Sequence, residues 1–526
     1  MTDPHPFVPD DRRLLRAQLW DACELEHQLM LQYLFAAFTL KKFPDDTCSP
    51  AQLEAIRRWG STIMVVARQE MEHLALANGI LAAIGEDPFF PRDNIPLRNR
   101  YFLGENRAAA ERAAADAEGV EPGPTPLDIV FRFERFNEET IQRFVCAESP
   151  GWKDVQGTDM YPAWCFAEPD PAPGRKRKRV TAAAEDLPVS RSHLHTLPVA
   201  AKNAPGHSIP VHPGTIPELY GRINDLLQLH PEYFQGVPDR QVFIPVEYQI
   251  SVIKITDPVS AGGAIDQIVE EGEGIDAPPG YESHFARFWG VNQELGEMRT
   301  KGFHPALPVR LNPVPDGSWL PYTRDVSELF DYAYVTLLYV LTSLYRNYAP
   351  GTRPPFLTEA LQNVAFGPFM TMVIRPIAEV LVHLRIHADG TETAGPAFRL
   401  TPEEEQVIWP RPRSFGGHPV PGRPGSHLTP EERERIAAQL DDVDFILDRM
   451  DHLVARLGEL AGTGRGRKAR GGELAAALVP QAPESWARGR LEYVRESAEA
   501  MANNVRRIYQ VGQLPQFVVP VEWPTP

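Results

Sequence analysis

The chain has few cysteines, no excess of positive charge and no long hydrophobic run. Its 526 residues include no C-x-x-C pair, which argues against a disulfide framework or a thiolate zinc site and predicts a reduced, cytoplasmic protein. A net charge of −17 argues against a nucleic-acid partner. No run approaches the ~18 uninterrupted apolar residues of a membrane helix, and residues 1–15 lack the apolar region of a secretory signal. We therefore expect a soluble protein with no membrane segment.

Proline, in contrast, is abundant: there are 52 residues of it. The prolines cluster between segments of helical periodicity, which indicates long ordered connections between helices. The length of the chain predicts more than one domain. We predict a helical bundle over 1–300 with a long insertion at about 86–215, a Pro-rich crossover at 301–325, and a C-terminal helical domain at 326–526.

Apolar periodicity predicts two long N-terminal helices, 11–42 and 50–84, and an all-α fold. The first helix ends before Pro44, and the second begins after Ser49 and ends at Gly85, in keeping with the usual stop and start signals. A short hairpin or ribbon is expected at 241–255. Further helices are predicted at about 107–117, 137–148, 215–229, 257–274, 281–295, 326–347, 358–386, 430–462 and 483–510.

Two motifs on the first two helices carry ionisable side chains on their apolar sides, CELEHQLMLQYLF (23–35) and ARQEMEHLALA (67–77). Glu70 and His73 lie three residues apart and share one helix face, and Glu26 lies on the inward stripe of its helix. Buried carboxylates and imidazoles are costly unless a cation neutralises them. One Glu plus a Glu-x-x-His is half of the ligand set of di-metal helix bundles. We predict that these three residues bind one metal ion.

The second half of such a site must come from later helices. Glu218, in the first turn of the third long helix, is the candidate opposite Glu26, and a dipole-stabilised cap is an equally good interpretation. The following helix offers Glu273, or alternatively Glu270, and His284, although it has no second Glu-x-x-His. We expect Glu218, Glu273 and His284 to hold or share a second metal ion.

Several other polar residues have two interpretations. Tyr33 lies on the same face as Glu26, where it could hydrogen-bond a metal ligand or form a radical, or simply be a core tyrosine. Glu26 itself faces solvent if the crowded turn with Glu24 and His27 is oriented differently. Four histidines in the insertion either bind metal or belong to a surface loop: His193, His195, His207 and His212.

These motifs resemble a known family. The LEHQLMLQY helix, the E-x-x-H helix running into NGILAAIGEDPFFP, the TIPELY start and the EEGEG…ESHF segment are similar to the ferritin-like domain of iminophenyl-pyruvate dimer synthases, which act in violacein and other bisindole pathways. The resemblance covers about 20–300 and, more loosely, 326–385. It implies a ferritin-like four-helix bundle with a long insertion between its helix pairs.

The ligand types and the resemblance together predict a metal-dependent oxidoreductase of specialised metabolism. Mixed oxygen and nitrogen ligands with open positions suit iron, as a di-iron pair, or manganese better than structural zinc. The expected partners are O₂ or peroxide and a small, amino-acid-derived substrate, with a homodimer as a candidate assembly. The alternatives are an imine-dimerising synthase, as the resemblance implies, and a non-catalytic metal-binding or assembly protein. No nucleotide-binding or G-x-S-x-G motif is found.

Overall fold

The structure is a computed structural model that describes the helices and most of the connections between them. The described residues are 11–103, 128–149, 187–190, 216–234, 242–247, 250–273, 282–298, 302–346, 355–410, 429, 431–432, 435, 438–462 and 470–512.

Helices dominate the described part of the chain, which confirms the all-α prediction. The α-helices are α1 (Asp11–Thr39), α2 (Pro50–Ala83), α3 (Glu138–Ala147), α4 (Ile216–Leu229), α5 (Pro258–Glu273), α6 (His284–Met298), α7 (Pro321–Arg346), α8 (Pro355–Val364), α9 (Arg375–Leu381), α10 (Pro402–Ile408), α11 (Val443–Ala461), α12 (Gly471–Ala477) and α13 (Glu484–Gly512). There are also two short antiparallel strand pairs. Strand β1 (Leu97–Arg98) pairs with β2 (Val130–Phe131), and β3 (Ile244–Glu247) pairs with β4 (Ile250–Val252).

An antiparallel pair, α1 and α2, forms the centre of the molecule. Helix α2 starts where the sequence predicts, because Ser49 and Gln52 form a reciprocal capping box. It ends before Gly85, whose φ of 77° lies in the left-handed region that favours glycine. Arg12, at the start of α1, donates a hydrogen bond to the carbonyl of Ile84, just beyond the end of α2. The two helices therefore run in opposite directions along each other.

Helices cover both sides of this central pair. On one side α4 packs against α1, α5 and α6 pack against α2, and α3 packs against α6. On the other side, Tyr334 of α7 hydrogen-bonds His27 at 2.8 Å, and the Tyr345 hydroxyl donates to the carbonyl of Ala75 at 3.1 Å. Helices α11 and α13 form an outer layer beyond α7. Almost every residue of α1 is buried as a result, the charged ones included.

One contiguous apolar core runs through both halves of the chain. It includes Leu31 of α1, Leu74 of α2, Leu338 of α7, Leu453 of α11 and Val494 of α13. The predicted domain boundaries, between the helical bundle, the crossover at 301–325 and the C-terminal helical domain, stay a prediction.

The helix predicted at 358–386 is interrupted. A π-helical segment, Ala365–Ile374, separates α8 from α9, and within it Gly367 has a φ of 104° and is followed by Pro368. Proline has no N–H to donate, and a φ of this sign suits glycine, so the chain kinks here. The run Thr358–Leu381 has the length and hydropathy of a membrane-crossing helix, but 61% of its most apolar window is buried in the protein, so it is weak evidence for a membrane segment.

The remaining predicted elements differ mainly at their ends. Helix α7 begins at Pro321, ahead of the predicted start, and the expected hairpin is the β3–β4 pair. The helix predicted at 107–117 lies outside the described residues. Cys23 and Cys48 are free thiols, whereas Cys146 is disulfide-bonded, which corrects the expectation that the cysteines are all reduced.

Candidate metal centre

Five buried side chains from four helices converge on one side of the central pair. Glu26 comes from α1, and Glu70 and His73 come from one face of α2. Glu148 is the C-terminal cap of α3, and His284 is the first residue of α6. Each of the five is at most 2% exposed, so water contributes little to their solvation.

The five residues form two groups that share one carboxylate. Glu26, Glu70 and His73 offer ligand atoms that all lie within 4.8 Å of one another, and so do Glu70, Glu148 and His284. His73 Nδ1 lies 3.7 Å from Glu26 Oε2 and 3.5 Å from Glu70 Oε2. His284 Nδ1 lies 3.0 Å from Glu70 Oε1 and 3.5 Å from Glu148 Oε2. The two oxygens of Glu70 thus face different groups, as in a carboxylate that bridges two ions.

Two tyrosines hold the outer carboxylates in matching ways. The Tyr220 hydroxyl donates to Glu26 Oε1 at 2.7 Å, and the Tyr33 hydroxyl donates to Glu148 Oε1. In each carboxylate, the other oxygen, Oε2, is the one that faces the imidazole. Each tyrosine therefore fixes one oxygen and leaves its partner available as a ligand.

A fourth carboxylate orients one of the imidazoles. Glu271 Oε2 lies 3.2 Å from His73 Nε2, the ring nitrogen opposite the one that faces Glu26 and Glu70. When Nε2 carries the proton and donates it to Glu271, Nδ1 keeps its lone pair for a cation. This is the carboxylate–histidine arrangement that commonly fixes the tautomer of metal-binding histidines.

Burial and mutual interaction shift the pKa values of these groups. Burial raises the pKa of Glu26 to about 7, and Glu70 adds to the rise while His73 opposes it. Burial lowers the pKa of His284, but the carboxylates of Glu70 and Glu148 outweigh it and raise that pKa to about 9. Since metal ligands must be deprotonated, a metal ion bound here would displace these protons.

The unsatisfied atoms of this centre fit a metal ion. Glu70 Oε2 and both ring nitrogens of His284 are buried and make no hydrogen bond, although ion-pair partners lie close by. Buried polar atoms in this state are costly in a folded protein. The space between the side chains is about 10 Å³, so no molecule of substrate size fits among them. The donor set of three carboxylates and two imidazoles is one carboxylate short of the four carboxylates and two imidazoles of di-metal helix bundles, and has the same ligand types.

The structure brings together four of the six predicted ligands. Glu26, Glu70, His73 and His284 meet in the centre, whereas Glu218 does not. Glu218 is 35% exposed and pairs with Arg222, one turn further along α4. Its neighbour Tyr220 points inward, because residues two apart lie on nearly opposite faces of a helix.

The structure therefore does not place Glu218 among the ligands, contrary to the prediction. In its place, α4 contributes the hydroxyl of Tyr220. The side chain of Glu273 lies outside the described residues, and the alternative, Glu270, is exposed. The four histidines of the insertion are also outside the described part of the chain.

Glu148 is the ligand candidate that the sequence interpretation missed. It lies in the region assigned to an insertion, at the end of the helix predicted at 137–148. Two features of the sequence point to it: Glu148 continues the apolar stripe of Ile141, Phe144 and Val145, and a carboxylate is disfavoured at a helix C-terminus by the helix dipole. Because a carboxylate at this position is unfavourable on both grounds, the sequence indicates a partner that compensates its charge.

Comparisons with known proteins identify the family of the chain. A family model described as ferritin-like matches residues 19–293, just over half of the chain. The dichlorochromopyrrolate synthase of Lentzea aerocolonigenes is 26% identical over 432 residues, which cover 74% of this chain and 36% of that protein. The 2-imino-3-(indol-3-yl)propanoate dimerase of Chromobacterium violaceum is 28% identical over 419 residues, which cover 75% and 35%. The chain thus spans about a third of the length of these relatives.

A solved structure, a ferritin-like protein from Caulobacter vibrioides, shares 18% identity and covers 61% of this chain and 83% of its own, with a TM-score of 0.33. That likeness is too loose to bear on the fold. The family match and the two curated relatives confirm the resemblance noted in the sequence. The chain belongs to the ferritin-like family.

Proposed function

We propose that the chain is a metal-dependent oxidoreductase that binds two iron ions, with manganese as the alternative, and acts on a small organic, amino-acid-derived substrate. The observation that carries this proposal is the pair of buried ligand groups sharing Glu70. Glu26 and His73 would hold one ion and Glu148 and His284 the other, with Glu70 bridging them. When bound, such a metal pair supplies redox chemistry with O₂ or peroxide as the oxidant.

The protein's own residues have two tasks in this proposal. Tyr33, Tyr220 and Glu271 orient the ligands through hydrogen bonds. The surrounding helices exclude water, which keeps the electrostatic interactions in the centre strong.

Oxidative dimerisation of an imine is the second candidate function. It is favoured by the relatives, one of which is named as a dimerase of an indolyl imino acid and the other as a chromopyrrolate synthase. Because the chain covers about a third of the length of those proteins, their reactions are proposals for this chain. A third candidate, a non-catalytic metal-binding protein, predicts bound metal without turnover.

Elemental analysis of the purified chain, combined with spectroscopy, tests the proposed function. We expect about two iron or manganese ions per chain, as in di-metal helix bundles, and an optical spectrum that changes when the reduced protein meets O₂. A metal-free protein that oxidises its substrate would contradict the proposal. Stoichiometric metal without any O₂-dependent change would favour the non-catalytic alternative.

Tyr33→Phe tests whether the tyrosine hydroxyl supports the ligand Glu148. Loss of this hydrogen bond is expected to weaken metal affinity about tenfold or more, since partners that orient ligands commonly contribute that much. Competition with a chelator measures the affinity. Tyr101→Phe is a matched control, because the Tyr101 hydroxyl also donates to a buried carboxylate, that of Asp21, at 2.6 Å but outside the centre. Equal losses in both variants would show that the effect is one of general stability.

A further inference from the structure

A cavity of about 610 Å³ lies between the α1–α2 pair and the layer formed by α7 and the π-helical segment. His27 and Tyr334 belong to its buried wall, and Thr371, Met372 and Arg375 are exposed at its mouth. Its volume falls within the range of roughly 300–1,000 Å³ that is typical of small-molecule sites. The metal centre, in contrast, leaves space of about 10 Å³. A ligand with a ring system therefore fits this cavity and does not fit among the metal ligands.

The cavity and the metal centre lie on different faces of the same two helices. Successive residues of an α-helix are rotated by about 100° around its axis. Glu26 and Glu70 face the centre, and the residues that follow them, His27 and Met71, line the cavity. A molecule bound in the cavity is thus separated from the metal ligands by the helices themselves.

The walls of the cavity suit an aromatic ligand. Five methionines line it, Met30 and Met71 among them, and thioether sulfur atoms make favourable contacts with rings. Aromatic side chains add edges and faces for further ring contacts. The aromatic lining residues are Phe38, Phe90, Tyr334, Tyr345, Phe366 and Phe398.

The polar groups in the buried wall are held neutral. Arg92 Nε donates to Tyr334 Oη at 3.0 Å, so the tyrosine proton is directed to His27 Nε2 at 2.8 Å. A His27 Nε2 atom that accepts this hydrogen bond carries no proton of its own, so the imidazole is uncharged. The buried end therefore suits an uncharged ring better than a carboxylate.

Positive charge collects at the mouth. Arg375 pairs with Glu379 at 2.9 Å, but Lys42 and Arg490 pair with the same carboxylate at 3.0 and 2.8 Å, so three cations share one anion. Arg68 also lines the cavity. In a chain with a net charge of −17, three cations on one carboxylate leave a local positive charge that favours an anionic ligand.

We propose that the cavity binds an aromatic carboxylic acid, with its ring system against the aromatic and methionine side chains and its carboxylate at Arg68 and Arg375. Guanidinium groups match a carboxylate with two parallel hydrogen bonds. The binding of this acid in the cavity does not depend on the proposed function. The residues that select the organic ligand are then distinct from those that hold the metal.

Isothermal titration calorimetry of the full chain with 3-(indol-3-yl)propanoate tests the proposal. We expect saturable binding that weakens about tenfold in Arg68→Gln, because a charge-assisted hydrogen bond is lost. Leu341→Trp, which fills the cavity, and Thr371→Trp, which narrows its exposed mouth, should each weaken binding by at least about tenfold. Arg58→Gln is the matched control: Arg58 is also on α2, but it is 58% exposed and pairs with Glu294.

Three results would overturn the proposal. One is the absence of saturable binding by the wild-type chain. Another is wild-type affinity in Arg68→Gln or in both tryptophan variants. The third is tighter binding of a probe that lacks one of the two proposed features. Tighter binding of dodecanoate would show that the aromatic ring is not recognised, and tighter binding of neutral indole would show that the carboxylate is not recognised.

Glu70→Ala separates this proposal from the proposed function. The variant is expected to lose metal and to bind 3-(indol-3-yl)propanoate with unchanged affinity, because the cavity faces away from the centre. A wild-type chain that binds the acid and carries no metal overturns the proposed function and leaves the cavity assignment standing. A chain with two metal ions and no affinity for the acid overturns the cavity assignment alone.

Discussion

Replacement of Glu70 by alanine is expected to reduce the metal content to about a tenth of the wild-type value or less, because removal of a ligand should cost at least as much as the 10–100-fold loss seen when its supporting partner is removed. The reason is geometric: Glu70 Oε1 faces His284 and Oε2 faces His73, so one substitution removes an oxygen from both groups. Elemental analysis of freshly purified protein measures the effect. His73→Ala and His284→Ala should each deplete one ion more strongly than the other.

Glu218→Gln is the matched control for this prediction. Glu218 was a ligand candidate from sequence, and its carboxylate pairs with Arg222 on the surface of α4. We therefore expect full metal content in this variant. Retention of metal by Glu70→Ala, or loss of metal from Glu218→Gln, would show that the centre is assigned to the wrong residues.

The second large effect is a loss of stability in Glu148→Gln that is greater with metal than without it. With metal present, the variant loses a ligand; an ion at a thousandfold excess over its Kd stabilises a fold by about 4 kcal/mol. After removal of metal with a chelator, the loss should be smaller. Against the effect of burial, Glu70 and Glu148 together raise the pKa of His284 to about 9, so the amide loses an ion pair with the protonated imidazole but also relieves the repulsion between the buried carboxylates of Glu148 and Glu70.

Thermal unfolding of the two proteins, each with and without metal, measures this difference. The amide introduced by Glu148→Gln would still accept the hydrogen bond from Tyr33 through its carbonyl oxygen, so the comparison isolates the charge. Glu24→Gln serves as the control, since Glu24 is buried but accepts hydrogen bonds from Gln28 and from the backbone of Asp93. It should shift stability equally in both states. An equal loss of stability with and without metal would mean that Glu148 has a structural role.

Sequence reasoning predicted the half of the candidate centre that depends on local spacing. Glu70 and His73 lie three residues apart on a helix whose start and end are marked by Ser49 and Gly85, so their common face follows from helical geometry. Glu26 follows from the same periodicity on the neighbouring helix. The π-helical break at Gly367 and Pro368 was also marked in the sequence by its glycine and proline, although the helix was predicted to continue through it.

The other half of the candidate centre depends on contacts between segments that are far apart in the sequence. The spacing of residues along one helix does not reveal such contacts. Tyr281 occupies the position three residues before His284, so no second Glu-x-x-His marks that helix. The carboxylate beside His284 comes instead from Glu148, on the far side of a long connection. Whether α4 turns Glu218 or Tyr220 inward is decided by its packing against α1, not by the residues of its first turn.

The burial of α1 on every side has a consequence for the folding of the chain. The family match ends at residue 293, yet α7 supplies part of the surface that covers α1 and α2. A fragment ending near residue 300 would expose Leu31, Leu34 and Leu74 to water, all of them buried in the intact chain. We therefore expect the helices that carry the ligands and the helices that follow them to unfold together, as a cooperative unit larger than the region of family likeness.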